Sequence, residues 1–201
     1  MKSPSGADDL TRVEVRSAGE LRTWLEAHHT REESVWLVTW KASVRDRYVS
    51  RDEVLDELIA FGWIDGVRRK LDDSRTMQLI SKRRVQHWAR SYKERAARLI
   101  AEGRMAEPGF ASIEAGKASG LWDFMDDVDD LVVPDDLAAR FEANPAARAH
   151  FDGFPPSARR FTLRWIKLAR TEGTRAKRIE TTVRCAGRGE FVPGVRMVGK
   201  N

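Results

Sequence analysis

The stretch from Trp63 to Ile80 constrains the fold more than any other. Trp63 to Lys70 reads as a strand, Leu71-Asp72-Asp73-Ser74 is turn chemistry, and Thr76 to Ile80 reads as a returning strand. Two runs of strand-forming residues around four turn residues predict an antiparallel hairpin. Upstream, Ser34 to Trp40 reads Ser-Val-Trp-Leu-Val-Thr-Trp. It is short, β-branched and aromatic, and apolar on both faces, so it predicts a buried strand in the same sheet. Asp65-Gly66 is also a dipeptide that favours hairpin turns, which would shorten the first of the paired strands.

Helical signals surround this sheet. Ser17-Ala18-Gly19-Glu20 and Ser50-Arg51-Asp52-Glu53 have capping-box spacing, and each precedes an apolar helical pattern. They predict helices over 18–29 and over the run burying Val54, Leu55, Leu58 and Ile59, the second closed by Gly62. Arg45-Asp46-Arg47 predicts a polar loop between strand and helix. A third such spacing, Ser91-Tyr92-Lys93-Glu94, predicts a helix closed by Gly103. Pro108, Pro134 and Pro145 mark further helix starts, and the acidic stretch 123–133 predicts a surface loop. Ser157 and Thr174 are read as caps of two last helices, one burying Ala158, Phe161, Trp165 and Leu168, the other Ala176, Ile179 and Val183. The fold class is therefore α+β: a small antiparallel sheet of about three strands packed with helices, followed by an all-helical C-terminal half. The expected organisation is a disordered start at 1–12, one domain over 13–191 with an α+β part (13–104) and a helical part (105–191), and a tail at 192–201.

Charge is unevenly placed. Residues 1–61 carry −3, 62–104 carry +7, 105–157 carry −8 and 158–201 carry +9. The basic blocks suit a nucleic acid or another polyanion. The competing reading folds the acidic block, with Asp126-Asp127-Val128-Asp129-Asp130, against the basic ones, and it is the one preferred. Cys185 is the only cysteine, no apolar run nears the ~20 residues of a membrane helix, and Met1 to Gly6 has no apolar signal core. The expectation is a cytoplasmic protein that does not insert into membranes.

The standard catalytic signatures are missing: there is no phosphate-binding Gly-rich loop, paired CxxC, HExxH or GxSxG. His28 and His29 are helix neighbours pointing about 100° apart, and His87 and His150 have no ligand partners at metal spacing. No catalytic residue, cofactor or metal is predicted. The informative stretch is 61–90. Trp63 and Asp65 share a strand face, and a carboxylate beside a buried aromatic ring needs a partner. Arginines are close by in sequence, so the predicted ligand site comprises Trp63, Asp65, Arg68, Arg75, Ser81, Arg83, Arg84 and Trp88. It would be an arginine-lined pocket for a small carboxylate or phosphate. The rival is a structural cluster in which Asp65 pins an arginine. The partners expected are a small anionic ligand or an acidic protein, with nucleic acid the lesser choice.

Two blocks resemble the YdeI/OmpD-associated, or bacteriocin-protection, family. The first is Gly62-Trp63-Ile64-Asp65-Gly66, continued by Leu71-Asp72-Asp73, Arg75, Ser81, Arg83-Arg84, Trp88 and Leu99 to Met105; the second is Ser157 to Ile179, with Trp165-Ile166 and Thr174 to Ile179. With Val35-Trp36-Leu37 the likeness spans roughly residues 15–191, and the first block is its more specific part. Lys82 and Val85 stand where the family has prolines, Ala89 where it has serine, Tyr92 where it has asparagine and Gly173 where it tends to glutamate. The resemblance implies resistance to bacteriocins or cationic antimicrobial peptides and association with an outer-membrane porin. It carries no settled catalytic residues. The function expected is therefore a non-enzymatic stress or peptide-resistance protein with an anion pocket. The alternatives are a nucleic-acid binder using 62–104 and 158–201, or a small-molecule enzyme with its site around Trp63 and Asp65.

Overall fold

A computed structural model describes residues 10–84 and 87–195. The chain divides into two compact units, Met1–Phe124 and Met125–Asn201. The expected disordered start falls largely on residues 1–9 and most of the expected tail on 196–201, both outside the described residues.

The first unit is built on a four-stranded sheet of order β1-β2-β4-β3. Its strands are β1 (Arg12–Glu14), β2 (Val35–Trp40), β3 (Trp63–Lys70) and β4 (Arg75–Lys82). The hairpin β3–β4 and the pairing of β2 with β4 are antiparallel, as the sequence predicted. The fourth strand, β1, was not foreseen: it has three residues, two of them exposed, and so shows no readable alternation. It pairs with β2 in parallel. Parallel pairing needs a crossover, and helix α1 (Ala18–His28) supplies it. Asp65-Gly66 forms no turn; the strand runs on to Lys70, with a register shift between Asp65 and Arg68.

Helices α1, α2 (Arg51–Ala60), α3 (Arg90–Ala101) and α4 (Glu107–Ala118) complete this unit. Leu21, Leu25, Val54, Leu58, Ile59, Leu99 and Ile113 join Val35, Leu37, Trp63 and Ile80 in one core. The Ser50 capping box forms in full, its hydroxyl accepting from Glu53 N–H while Glu53 accepts from Ser50 N–H. At α1 the Ser17 hydroxyl caps as predicted, but the Glu20 carboxylate takes the N–H of Arg16 instead. The third box does not form: α3 starts two residues earlier, behind Ala89 with no side-chain cap, and Ser91 lies within it. Arg45–Arg47 is a turn of 3₁₀ helix.

The second unit is helical: α5 (Asp126–Asp129), α6 (Asp135–Glu142), α7 (Pro145–Gly153), α8 (Pro156–Lys167) and α9 (Glu172–Gly187). The expected acidic loop thus contains a four-residue helix. The last two caps lie upstream of the predicted ones. Pro155 precedes α8, and Thr171 caps α9 by accepting from Thr174 N–H. The buried faces are also rotated from the expected ones. Ala158, Thr162, Leu163 and Ile166 are buried on α8, and Ile179, Thr182 and Ala186 on α9. Phe161 and Leu168 are exposed. The threonines mislead a hydrophobicity count; Thr162 and Thr182 are tolerated inside because their hydroxyls donate to the carbonyls of Ala158 and Arg178, one turn back. Among the described residues no helix is long and apolar enough to cross a membrane.

Candidate anion-binding cleft

The geometry of the first unit scatters several of the predicted site residues. Trp63 is fully buried; its indole N–H donates to the His29 carbonyl at 3.2 Å and its ring meets Trp24 edge-on. It is core, not a pocket wall. Arg75 holds the hairpin turn. Its Nε donates to Asp72 at 2.8 Å and its Nη1 to Glu14 at 2.7 Å. Asp72 accepts in addition from the backbone of Ser74 and Arg75, and the nearby Arg75 guanidinium with these bonds holds its pKa down at about 2. Arg68 reaches the Thr39 hydroxyl at 3.4 Å. Ser81 pairs with Ile64 on β3, the residue between Trp63 and Asp65, and so faces away from both. Arg84 is mostly exposed and donates to the Glu32 carbonyl at 3.1 Å.

Asp65 does need a partner, but the partner is not an arginine. Its carboxylate accepts from Gln78 Nε2 at 3.0 Å and from the Tyr92 hydroxyl. Burial first, and the bond to Asp65 second, push the Tyr92 phenol up to about 12. Tyr92 and Gln78 are thus the hydrogen-bond donors that allow a carboxylate to sit at the sheet's edge. Sequence reasoning places the Tyr92 phenol near this stretch but does not pair it with Asp65, because it lies 27 residues downstream, on another element.

Arg83 and Trp88 are brought together. The Arg83 guanidinium carbon stands 4.1 Å from the centre of a Trp88 ring and 5.4 Å from that of Tyr92. Trp88 is itself buried. The only hydrogen bond of the Arg83 side chain among the described residues is a long one, 3.4 Å, to the His87 carbonyl. No described carboxylate forms an ion pair with it. Burial pulls its pKa below the usual arginine value, partly offset by the field of Tyr92 and Asp65. Its backbone N–H donates to the Gly62 carbonyl at 2.8 Å, fixing the end of β4 against the end of α2.

Arg83 lines two adjoining clefts. The larger, about 550 Å³, runs between the end of β4 and helix α4, with Phe61, Pro108, Ala111 and Ala115 as apolar wall and Lys82, Glu107 and Ser112 as polar groups. The smaller, about 300 Å³, continues past Arg84, Trp88 and Gly116. Lys82 spends its charge on Glu32 at 2.7 Å. The wall formed by α4 was not legible in the hairpin, because it comes from residues more than twenty positions further on. The available signal was Gly109 and Gly116, seven apart on one helix. A Cβ on Gly109 would stand 2.3 Å from the Ala60 carbonyl oxygen, and one on Gly116 2.6 Å from Trp88 Nε1. These glycines let α4 approach closely enough to close the cleft. Among the described residues no group of His, Cys, Asp or Glu could hold a metal ion.

In the second unit, cations of the basic block meet carboxylates of the acidic one. Lys167 donates to Asp127 at 2.6 Å, and Arg175 makes a bidentate pair with Asp136 at 2.6 and 2.8 Å. Arg178 lies over Trp165 and donates to its carbonyl. Cys185 is half-buried on α9.

Residues 13–112, which include the Gly62–Gly66 block and most of the larger cleft, match the model of a Domain of unknown function (DUF8412). Residues 130–189, which include the Ser157–Ile179 block, match the model Bacteriocin-protection, YdeI or OmpD-Associated. No curated protein and no solved structure matches the chain. The likeness read over residues 15–191 is therefore carried by the C-terminal block, the weaker of the two by motif. Over residues 130–189, part of its length, the chain is related to the bacteriocin-protection, YdeI or OmpD-associated family.

Proposed function

We propose that the chain is a non-enzymatic, cytoplasmic binding protein that takes a small anion with an apolar body into the cleft between the end of β4 and α4. The observation that carries this reading is Arg83, a partly buried guanidinium that lines the cleft and has no carboxylate paired to it among the described residues. A cation that has lost water without gaining a counter-charge is stabilised by an incoming anion. Phe61, Pro108 and Ala111 offer apolar contact beside it. The family description matched over 130–189, which names bacteriocin protection, supports a protective setting for such a protein. A stress or peptide-resistance role is part of the proposal.

The test is a titration of the full chain with benzoate and with inorganic phosphate, followed by isothermal calorimetry. Benzoate is expected to bind saturably and phosphate more weakly, for want of apolar contact. Arg83→Met keeps an unbranched stem over Trp88 and removes the charge; it is expected to weaken benzoate by about tenfold or more, the scale of one charge-assisted hydrogen bond. Its melting temperature should stay close to that of the parent. Absence of saturable binding by either anion, or equal binding by the variant, would reject the reading.

Duplex DNA is expected not to bind tightly, because Lys167 and Arg175 are already paired with Asp127 and Asp136. Fluorescence anisotropy at about 0.15 M salt checks this. Saturable binding at about 10⁻⁸ M or tighter would restore the nucleic-acid alternative.

A further inference from the structure

The larger cleft holds a second charge of opposite sign. Glu107 is the first residue of α4 and lines the cleft that Arg83 also lines. It forms no ion pair or hydrogen bond through its carboxylate with any described residue. The first turn of a helix favours a negative charge. Arg83 enters from the end of β4 and Glu107 from the start of α4, with Phe61, Pro108 and Ala111 beside them. Lys82 adds little, since Glu32 already takes its charge.

Two opposite charges that line one cleft without neutralising each other, beside an apolar wall, form a complementary receptor for a molecule carrying both charges. We infer that the ligand is a zwitterion with an apolar side chain: a free amino acid, or a short peptide whose terminal groups lie close together. Its carboxylate meets the Arg83 fork and its ammonium meets Glu107. A simple anion would satisfy Arg83 and leave Glu107 facing its own negative charge. A volume of about 550 Å³ lies within the usual range for a small-molecule site. The inference rests on the anion reading of the same cleft and sharpens it, because Glu107 selects against acids that lack an amine.

Three probes of one shape separate the possibilities: L-phenylalanine, 3-phenylpropionate, which lacks the amine, and 2-phenylethylamine, which lacks the acid. Each is titrated into the full chain. L-Phenylalanine is expected to bind about tenfold more tightly than either of the others, the scale of one hydrogen bond to a charged group. In Glu107→Gln, an exposed change that leaves the core alone, L-phenylalanine and 3-phenylpropionate are expected to bind within about twofold of each other. Binding of 3-phenylpropionate as tight as that of L-phenylalanine by the unmodified chain overturns the zwitterion inference and leaves the anion reading standing. A preference for L-phenylalanine that survives in Glu107→Gln overturns the role given to Glu107. If none of the three binds, the inference fails, and the benzoate and phosphate titrations decide the anion reading separately.

Discussion

Asp56→Ala is expected to lower the unfolding free energy of the first unit by about 3 kcal/mol, the low end for breaking a buried ion pair. Asp56 sits on α2 and is 6% exposed. One of its oxygens accepts from Arg95 at 2.5 Å and from Arg98 at 2.6 Å, and the other lies 3.5 Å from Arg104. Its neighbour Glu57, 4% exposed, accepts from Arg22 at 3.0 Å and from Arg104 at 2.8 Å. Two buried carboxylates on α2 therefore tie it to α1, to α3 and to the segment that leads into α4. Removing Asp56 leaves Arg95 with only the exposed Asp52. Arg98 and Arg104 are more than a third exposed and can rehydrate, which keeps the loss from reaching the upper end of the range. Chemical unfolding followed by tryptophan fluorescence measures this unit, since every tryptophan except Trp165 belongs to it. A variant within about 0.5 kcal/mol of the parent, the usual span for an unimportant surface change, would mean the network is decorative.

The same network fixes a pH dependence. Burial alone would raise the Asp56 pKa, but the hydrogen bonds from Arg98 and Arg95 outweigh it and hold the group below its ordinary 3.8. A depressed carboxylate pKa stabilises the fold above the unfolded value and loses that stabilisation as the pH falls through the folded value. The parent should therefore lose stability below pH 3.8 more steeply than Asp56→Ala, and the difference between the two should shrink in acid.

How much of this was readable depended on whether the interaction was local. The hairpin was legible because its turn and both strands are contiguous, and α1 and α2 because Ser17 and Ser50 cap residues three positions away. The spacing alone misled at Ser91, since the same pattern occurs inside a helix and only backbone geometry decides which residue caps. The candidate site was half legible. Arg83 and Trp88 lie five apart in sequence and the fold brings them together; Asp65 needed Tyr92, and the cleft needed α4. The abundance of nearby arginines suggested a partner for Asp65 by proximity in sequence. The fold gave those arginines other tasks, Arg75 at the turn and Arg84 at Glu32.

Gly109→Ala sets two effects against each other, and packing is expected to win. In a helix, replacing glycine by alanine ordinarily gains about 0.5–1 kcal/mol, because alanine loses less backbone freedom on folding. Gly109 lies in α4 and is buried. A Cβ there would stand 2.3 Å from the Ala60 carbonyl oxygen and 2.4 Å from Met105 Sδ. The sulfur can swing away; the carbonyl is backbone at the end of α2, and it already accepts the Ala106 N–H at 3.1 Å. So α4 must move off α2. Gly62, next to that point, has φ +68°, and a Cβ on it would meet the Pro108 carbonyl oxygen at 2.7 Å, so the junction has no slack from the other side either. Overpacking of this kind costs about 1–3 kcal/mol, and a fixed backbone oxygen argues for the upper figure. The net expectation is a loss of about 2 kcal/mol or more. Gly173→Ala provides the contrast: its Cβ meets nothing within 4 Å at the start of α9, and it should gain a few tenths to about 1 kcal/mol. Because the Gly62 carbonyl also receives the Arg83 N–H, displacing α4 separates the wall carrying Glu107 from the strand end carrying Arg83. Benzoate binding is therefore expected to weaken in Gly109→Ala and to be unchanged in Gly173→Ala. A Gly109→Ala protein that melts at or above the parent would show that α4 is not held by this contact, and the cleft would lose its account of how it is closed.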